Sequence, residues 1–182
     1  METGDHERQV SGTIAYSGKI VQLEVDEVEL PDGKHSVREV VRTGDSVAIA
    51  GITADRKLLM VRQYRYAGRR SILEIPAGRI DDGETPEQAV VRELAEETGY
   101  RALNLHKIAG FYLAVGFATE FMHLFMAEVE PGVKLQQDPD EFISVELIPV
   151  DDIPHMIERQ QIDDVKTLAA AAYIAWQEGL VG

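Results

Sequence analysis

The chain has no cysteine, so neither disulfides nor thiolate chemistry can operate, which fits a reducing compartment. Long hydrophobic runs are missing too. The longest, Leu168–Trp176, falls far short of the roughly 20 residues that cross a bilayer, so no membrane partner is expected. The opening Met-Glu-Thr-Gly-Asp-His-Glu-Arg is charged and has no apolar stretch, so no signal peptide is expected and a soluble, cytoplasmic protein is. Repeats, low-complexity segments and linkers are absent as well. Basic residues are scarce, 18 Lys and Arg against 32 Asp and Glu, for a net charge of −14. A nucleic-acid partner needs a basic stripe, so none is expected. A small phosphorylated ligand stays open, because a few arginines and a metal dominate at contact range, well within a Debye length of about 10 Å. At 182 residues there is room for one domain with a substantial core, with or without a small extension.

What is present in excess is carboxylate, and its placement is unusual between Gly78 and Tyr100, in GRIDDGETPEQAVVRELAEETGY. Thr85 is a good N-cap, Pro86 suits the first helical position, and Gln88 completes a Thr-x-x-Gln capping box. Gly99 can turn left-handed and stop the helix. A helix over 86–98 follows, about 20 Å long at about 1.5 Å per residue. Val91, Leu94 and Ala95 recur at i, i+3 and i+4 and are expected to form its core stripe. Glu93, Glu96 and Glu97 fall in the last two turns within one sector of the surface. There the helix dipole makes each carboxylate unfavourable by up to about 1 kcal/mol, and the three repel one another. Arg92 relieves part of this. A hard divalent cation would reverse it, and carboxylate oxygens suit Mg²⁺ or Mn²⁺. The other reading is a solvated acidic face; the glycines on both sides of the pattern favour a metal site.

Elsewhere the pattern is largely β. Val21, Leu23 and Val25 alternate, Pro31-Asp32-Gly33-Lys34 marks a turn, and Val37–Val41 returns, which predicts a hairpin with exposed edges. An isolated hairpin is marginal, so packing on a partner subunit is expected. Val47–Ile52 and Leu58–Val61 read as a second hairpin, and Ile72–Ile75 as a short strand. Further strands are expected near Leu103–Tyr112, Glu120–Val129 and Phe142–Val150. Two helices should then follow, about Val150–Glu158 and Ile162–Gln177, the latter with Leu168, Ala172 and Ala175 at helical spacing.

The Gly78–Tyr100 segment matches Gly-x5-Glu-x7-Arg-Glu-U-x-Glu-Glu-x-Gly-U, where U is usually a bulky aliphatic and the last U is Tyr100. In this it resembles the signature of the Nudix hydrolases. The resemblance extends to Gly18-Lys19-Ile20, Val25–Gly33, Arg38-Glu39-Val40-Val41, Val61–Tyr66, Leu73–Gly78 and Ile162–Thr167. Over almost the whole chain it resembles bacterial ADP-ribose pyrophosphatases. It implies a Nudix-type α/β/α sandwich with a mixed central sheet over residues 45–182, and a small antiparallel β extension over 1–44 that helps form a homodimer. It also implies metal-dependent hydrolysis of a nucleoside diphosphate derivative, with Mg²⁺ or Mn²⁺ as cofactor.

By the same resemblance Glu93, Glu97 and Glu96, with the Ala77 carbonyl, are the metal ligands, and Arg92 orients the carboxylates. Gly78 supports the ligand loop, and Glu84 is either an ion-pair partner behind the metal or an exposed turn residue. A later acidic residue serves such enzymes as base or extra ligand; of Asp138, Asp140 and Glu141 we take Glu141. Arg38 and Arg65 are candidate phosphate or ribose contacts, since a guanidinium binds phosphate bidentately, although strand arginines are often plain solvent-facing spacers. Glu74 and Glu120 are further substrate candidates, and Tyr64, Tyr66 and Phe111 could stack on a base. The chain departs from its relatives at Val115, where a proline is common, and at Thr43-Gly44-Asp45-Ser46. The first departure leaves GDP-mannose or another nucleoside diphosphate sugar open as the substrate. A module that binds ADP-ribose without cleaving it is a third reading, opposed by the intact Glu93, Glu96 and Glu97.

Overall fold

The structure is a computed structural model and describes residues 6–136 and 142–179. The backbone divides into two compact units. One runs up to Asp45 and includes Tyr112–Phe121; the other holds Ser46–Phe111 and the residues from Met122 onward.

In the first unit β1 (Arg8–Ser17), β2 (Gln22–Glu29) and β3 (His35–Arg42) form an antiparallel sheet in that order. The turn expected at Pro31–Lys34 is there, with Gly33 at φ 82°. The expected two-stranded hairpin is corrected to three strands. Every residue of β1 is exposed, and its register slips at Gln9/Ser11 and again at Ile14/Tyr16. With neither a buried face nor an unbroken alternation, the strand leaves no period-two signal to read. Phe117–Thr119 runs beside β3, where the Val41 N–H donates to the Phe117 carbonyl (2.7 Å) and the Thr119 N–H to that of Val41 (3.0 Å).

In the second unit β4 (Ser46–Thr53), β5 (Lys57–Arg65), β9 (Phe121–Pro131), β8 (Tyr100–Tyr112) and β10 (Ile143–Pro149) build a mixed sheet in the order β10-β5-β4-β9-β8. β6 (Arg70–Glu74) pairs with β5, and β7 (Ala77–Arg79) pairs with β4. The expected β4–β5 hairpin amounts to only Gly51↔Leu59 and Ile52↔Leu58. The main partner of β4 is β9, parallel to it from Ser46↔Met122 to Thr53↔Val129. A continuous apolar run such as Val47–Ala50 suits a strand buried on both faces, and its sequence cannot say which neighbour it has.

Helix α1 (Pro86–Thr98) has the expected ends. Thr85 and Gln88 exchange both bonds of the capping box, and Gly99 stands at φ 75° with its N–H on the Ala95 carbonyl. The expected core stripe is corrected by one residue: Val91 is exposed, whereas Ala89, Val90, Leu94, Glu97 and Thr98 are buried. Ala89, Val90 and Leu94 pack on Val47, Ile49, Leu59 and Phe125 of the sheet. By strand alternation Ala48, Ala50, Leu58, Met60 and Leu124 face the other way. All five are buried, as are Ile153 of α2 (Ile153–Glu158) and Ile174 of α3 (Val165–Gln177). A 3-10 turn at Val150–Asp152 precedes α2, and α3 begins only after Asp164, which caps it. The α3 stripe is also corrected. Ala172 is exposed, and Lys166, Thr167, Ala170, Ala171, Ile174 and Ala175 are buried.

Candidate active site

The short passage from β6 through Ile75 and Pro76 into β7 is held at every residue. The Ile49 N–H donates to the Pro76 carbonyl (3.0 Å), and Ala77 and Gly78 pair with Ala48 and Val47. The Ala77 N–H donates to Glu97 Oε2 (3.1 Å), and the Ile75 N–H donates to Thr167 Oγ1 (3.0 Å). Helix α1 thus meets this passage through a carboxylate that is only 2% exposed. Gly78 matters by contact rather than by backbone angle, because a Cβ there would overlap the carboxyl of Glu93 and force it to shift.

Arg92 is the hub of the other carboxylates. Its Nε and Nη2 grip both oxygens of Glu84 (3.0 and 2.9 Å), while Nη1 reaches Glu93 Oε1 (2.7 Å) and Glu96 Oε2 (3.0 Å). Nη2 also donates to the Arg79 carbonyl (3.0 Å). The hydrogen bonds it donates to Glu84, against a smaller effect of burial, and then those to Glu93 and Glu96 hold the Arg92 guanidinium well above its ordinary pKa. Reciprocally, Arg92 first of all lowers the pKa of Glu84. Glu84 is therefore an ion-pair residue, not a bare turn residue; its Oε2 also accepts from the Asp81 N–H (3.2 Å).

With Glu93 and Glu96 turned toward Arg92, no three acidic or histidine side chains among the described residues converge as a ready-made cation cage. The donor chemistry nevertheless fits a hard divalent ion, since oxygen ligands alone are offered and the missing Cβ of Gly78 lets the Glu93 carboxyl come close to the β7 backbone. Arg92→Gln should expose what that hub relieves. Without their shared cation, the carboxylates at the helix C-terminus cost about 1 kcal/mol through the dipole and mutual repulsion. Thermal denaturation should then show Tm lower by about 2–4 °C, with the deficit shrinking when Mg²⁺ or Mn²⁺ is added. An equal deficit with and without the ion would contradict this.

A second cluster adjoins the passage. Glu74, 2% exposed, accepts from Arg65 Nε (2.6 Å) and Nη2 (2.9 Å) and from Lys166 Nζ. Lys166 also reaches Asp164 Oδ2 (2.9 Å), which accepts from the Thr167 N–H (3.1 Å) and hydroxyl (2.6 Å). Burial pushes the Arg65 pKa down, and the bonds and charge of Glu74 more than reverse that, with Glu97 adding a further electrostatic contribution. Burial likewise pushes Asp164 up, and Lys166 and Thr167 outweigh it to leave its carboxyl below the usual range.

The structure thus brings Ala77, Gly78, Glu84, Arg92, Glu93, Glu96 and Glu97 together, with Glu74 and Arg65 tied to the same passage. Arg38 and Glu120 belong to the first unit. Arg38 sits on β3, where its Nε donates to Glu7 Oε2 (2.8 Å) and its Nη1 to Ser36 Oγ (3.0 Å). The Glu120 carbonyl accepts from the Leu113 N–H (3.2 Å), closing a turn in which Val115 is exposed. Glu141, with Asp138 and Asp140, lies outside the described residues. Of the aromatic candidates, Tyr64 and Tyr66 are exposed, and the Arg69 guanidinium lies 3.7 Å above the Tyr66 ring.

Sequence reasoning passed over Lys166, Asp164 and Thr167 as individual residues. The available signal was the mirror image of the one in α1: a lysine in the first turn of a helix, where the dipole disfavours a cation.

A NUDIX domain model matches residues 42–171, and a model of the nucleoside diphosphate sugar hydrolase N-terminal domain matches 7–41. An ADP-ribose pyrophosphatase of Bacillus subtilis is 42% identical over 177 residues, covering 96% of this chain and 95% of that one. A methanol dehydrogenase activator of Bacillus methanolicus is 38% identical with the same coverage. A GDP-mannose pyrophosphatase of Escherichia coli is 32% identical over 75% of this chain and 76% of its own. The crystal structure of an ADP compounds hydrolase superposes with a TM-score of 0.86 over 99% of this chain and 98% of that one, at 22% identity, and so speaks for the fold. Members of this family generally need a divalent metal. No helix among the described residues is long and apolar enough to cross a membrane. With the signature in place on α1 and the domain matched over most of its length, the chain belongs to the Nudix hydrolase family.

Proposed function

We propose that this Nudix hydrolase cleaves the pyrophosphate bond of ADP-ribose with water, releasing AMP and ribose 5-phosphate. The observation that carries the reading is the juxtaposition of buried Glu97, hydrogen-bonded to Ala77, with Glu93 pressed against Gly78. It offers hard oxygen ligands beside an arginine-bearing strand, in a chain 42% identical to an ADP-ribose pyrophosphatase.

In this reading Glu93, Glu96, Glu97 and the Ala77 carbonyl hold Mg²⁺ or Mn²⁺. Such an ion neutralises phosphate oxygens and acidifies bound water. Arg92, backed by Glu84, gathers Glu93 and Glu96 on its Nη1 and balances their charge until the ion arrives. Arg65, gripped by Glu74 through Nε and Nη2, presents its remaining N–H groups to a phosphate. By the family resemblance Arg38 and Glu120 are further candidate substrate contacts, and Glu141 serves as the base. Residues 1–44 act as the dimerisation segment and 45–182 as the catalytic domain of a cytoplasmic homodimer. The fully exposed β1, with Val10, Ile14 and Tyr16 in water, favours a second copy as its cover.

GDP-mannose is the second reading, favoured by the turn at Leu113–Glu120, which closes with Val115 where relatives commonly carry proline. Turnover of a nucleotide-sugar panel with Mg²⁺ separates the possibilities. ADP-ribose should be the fastest, giving AMP and ribose 5-phosphate. Faster GDP-mannose turnover would replace it, and ligand binding without hydrolysis would sink both.

A further inference from the structure

We propose that Lys166 is a positioning residue for this hydrolysis: it shares Glu74 with Arg65, so that Arg65 stays fixed while keeping its positive charge available to a substrate phosphate. The inference rests on the reading above that Arg65 meets the phosphate.

The geometry points to this from three sides. Lys166 and Glu74 are almost wholly enclosed, with side chains 8% and 2% exposed. A lysine so placed needs anionic partners, and Glu74 and Asp164 supply two. Arg65 and Lys166 are therefore two cations against two anions, and the cluster is neutral. Take away Lys166 alone, and the balance tips to one net negative charge on a cluster where Arg65 already feels Glu97. An incoming phosphate would then meet an arginine whose charge is more than cancelled. Finally, the same helix start reaches the backbone before Gly78, through Thr167 on the Ile75 N–H. A cation at the start of α3 runs against the helix dipole, so helix stability alone does not call for it.

A scaffold role and an electrostatic role predict different kinetics. Loss of scaffold lowers the folded fraction and hence the apparent kcat. Loss of charge balance moves KM, because it acts on an anion before the chemical step. With the nucleotide sugar that turns over fastest, Lys166→Met should raise KM about tenfold, the scale of one charge-assisted hydrogen bond, and Lys166→Arg should restore most of it. Asp164→Asn should act in the opposite sense and lower KM about threefold, since it leaves one net positive charge. It also keeps the helix cap, because Asn caps as well as Asp, so this arm survives even if Lys166→Met folds poorly.

Arg65→Gln is the control on the premise and should raise KM at least as much as Lys166→Met. An unchanged KM there would remove Arg65 from the phosphate, and the proposal with it. A raised KM in Arg65→Gln, with KM unchanged in Lys166→Met and in Asp164→Asn, would overturn the role of Lys166 alone.

Discussion

Glu97→Gln is expected to lower turnover by about a thousandfold while leaving the fold intact. The side chain is 2% exposed, and its Oε2 accepts the Ala77 N–H. The amide is almost the same shape and its oxygen can take that same bond, so the passage before Gly78 keeps its anchor. What the amide cannot supply is the negative charge. A ligated divalent ion contributes several kcal/mol to a phosphoryl transition state. At 1.36 kcal/mol for each tenfold, losing a principal charged ligand removes about three decades. Steady-state turnover measured beside Mn²⁺ titration, followed by paramagnetic resonance, gives two independent readouts. Both activity and ion affinity should fall together, with Tm close to that of the unaltered protein. Near-normal turnover would take Glu97 out of the ligand set. Loss of activity with unchanged Mn²⁺ affinity would recast it as a base.

How far the molecule could be read in advance depends on which side chains do two things at once. The ends of α1 were legible because capping is local chemistry: Thr85, Pro86, Gln88 and Gly99 each act within a few residues of themselves. The apolar face of α1 was not. Hydrophobic periodicity puts Val91 in the stripe, yet the buried line runs Val90, Leu94, Glu97 and Thr98. Buried Glu97 occupies a position that packing alone would give to an aliphatic residue, so periodicity of apolar residues alone sets the stripe one residue off. The misread stripe and the candidate metal face are therefore one fact. Helix α3 repeats it, with Lys166 and Thr167 buried ahead of Ala170, Ala171 and Ile174.

Non-local pairing was the other blind spot. Nothing in Val47–Ile52 distinguishes β5 from β9 as its partner, and β1 has no buried face to announce it. Agreement between local signals and the fold breaks down at functional positions, which is where a working protein departs from the most stable sequence.

Gly78→Ala tests the site from the other direction, by adding a single carbon. Gly78 does not adopt the left-handed backbone region, so alanine brings no backbone strain. The added Cβ would overlap the Glu93 carboxyl, the far end of a flexible side chain, so the clash is relieved by swinging that carboxyl aside at the expense of its bond to Arg92. Stability should change by less than about 1 kcal/mol, the order of an off-rotamer side chain. Catalysis should not escape so lightly, because reacting groups displaced by about 1 Å lose about a hundredfold. The expected signature is therefore an unfolding transition within about 3 °C of the parent, with turnover down about a hundredfold and Mn²⁺ bound more weakly. Glu93→Gln on the same background should then cost little more, since a carboxylate already swung away has little left to lose and effects through one shared contact do not add. Full additivity of the two substitutions would mean that Glu93 acts independently of Gly78, and the packing of α1 against β7 would lose its place in the account of this site.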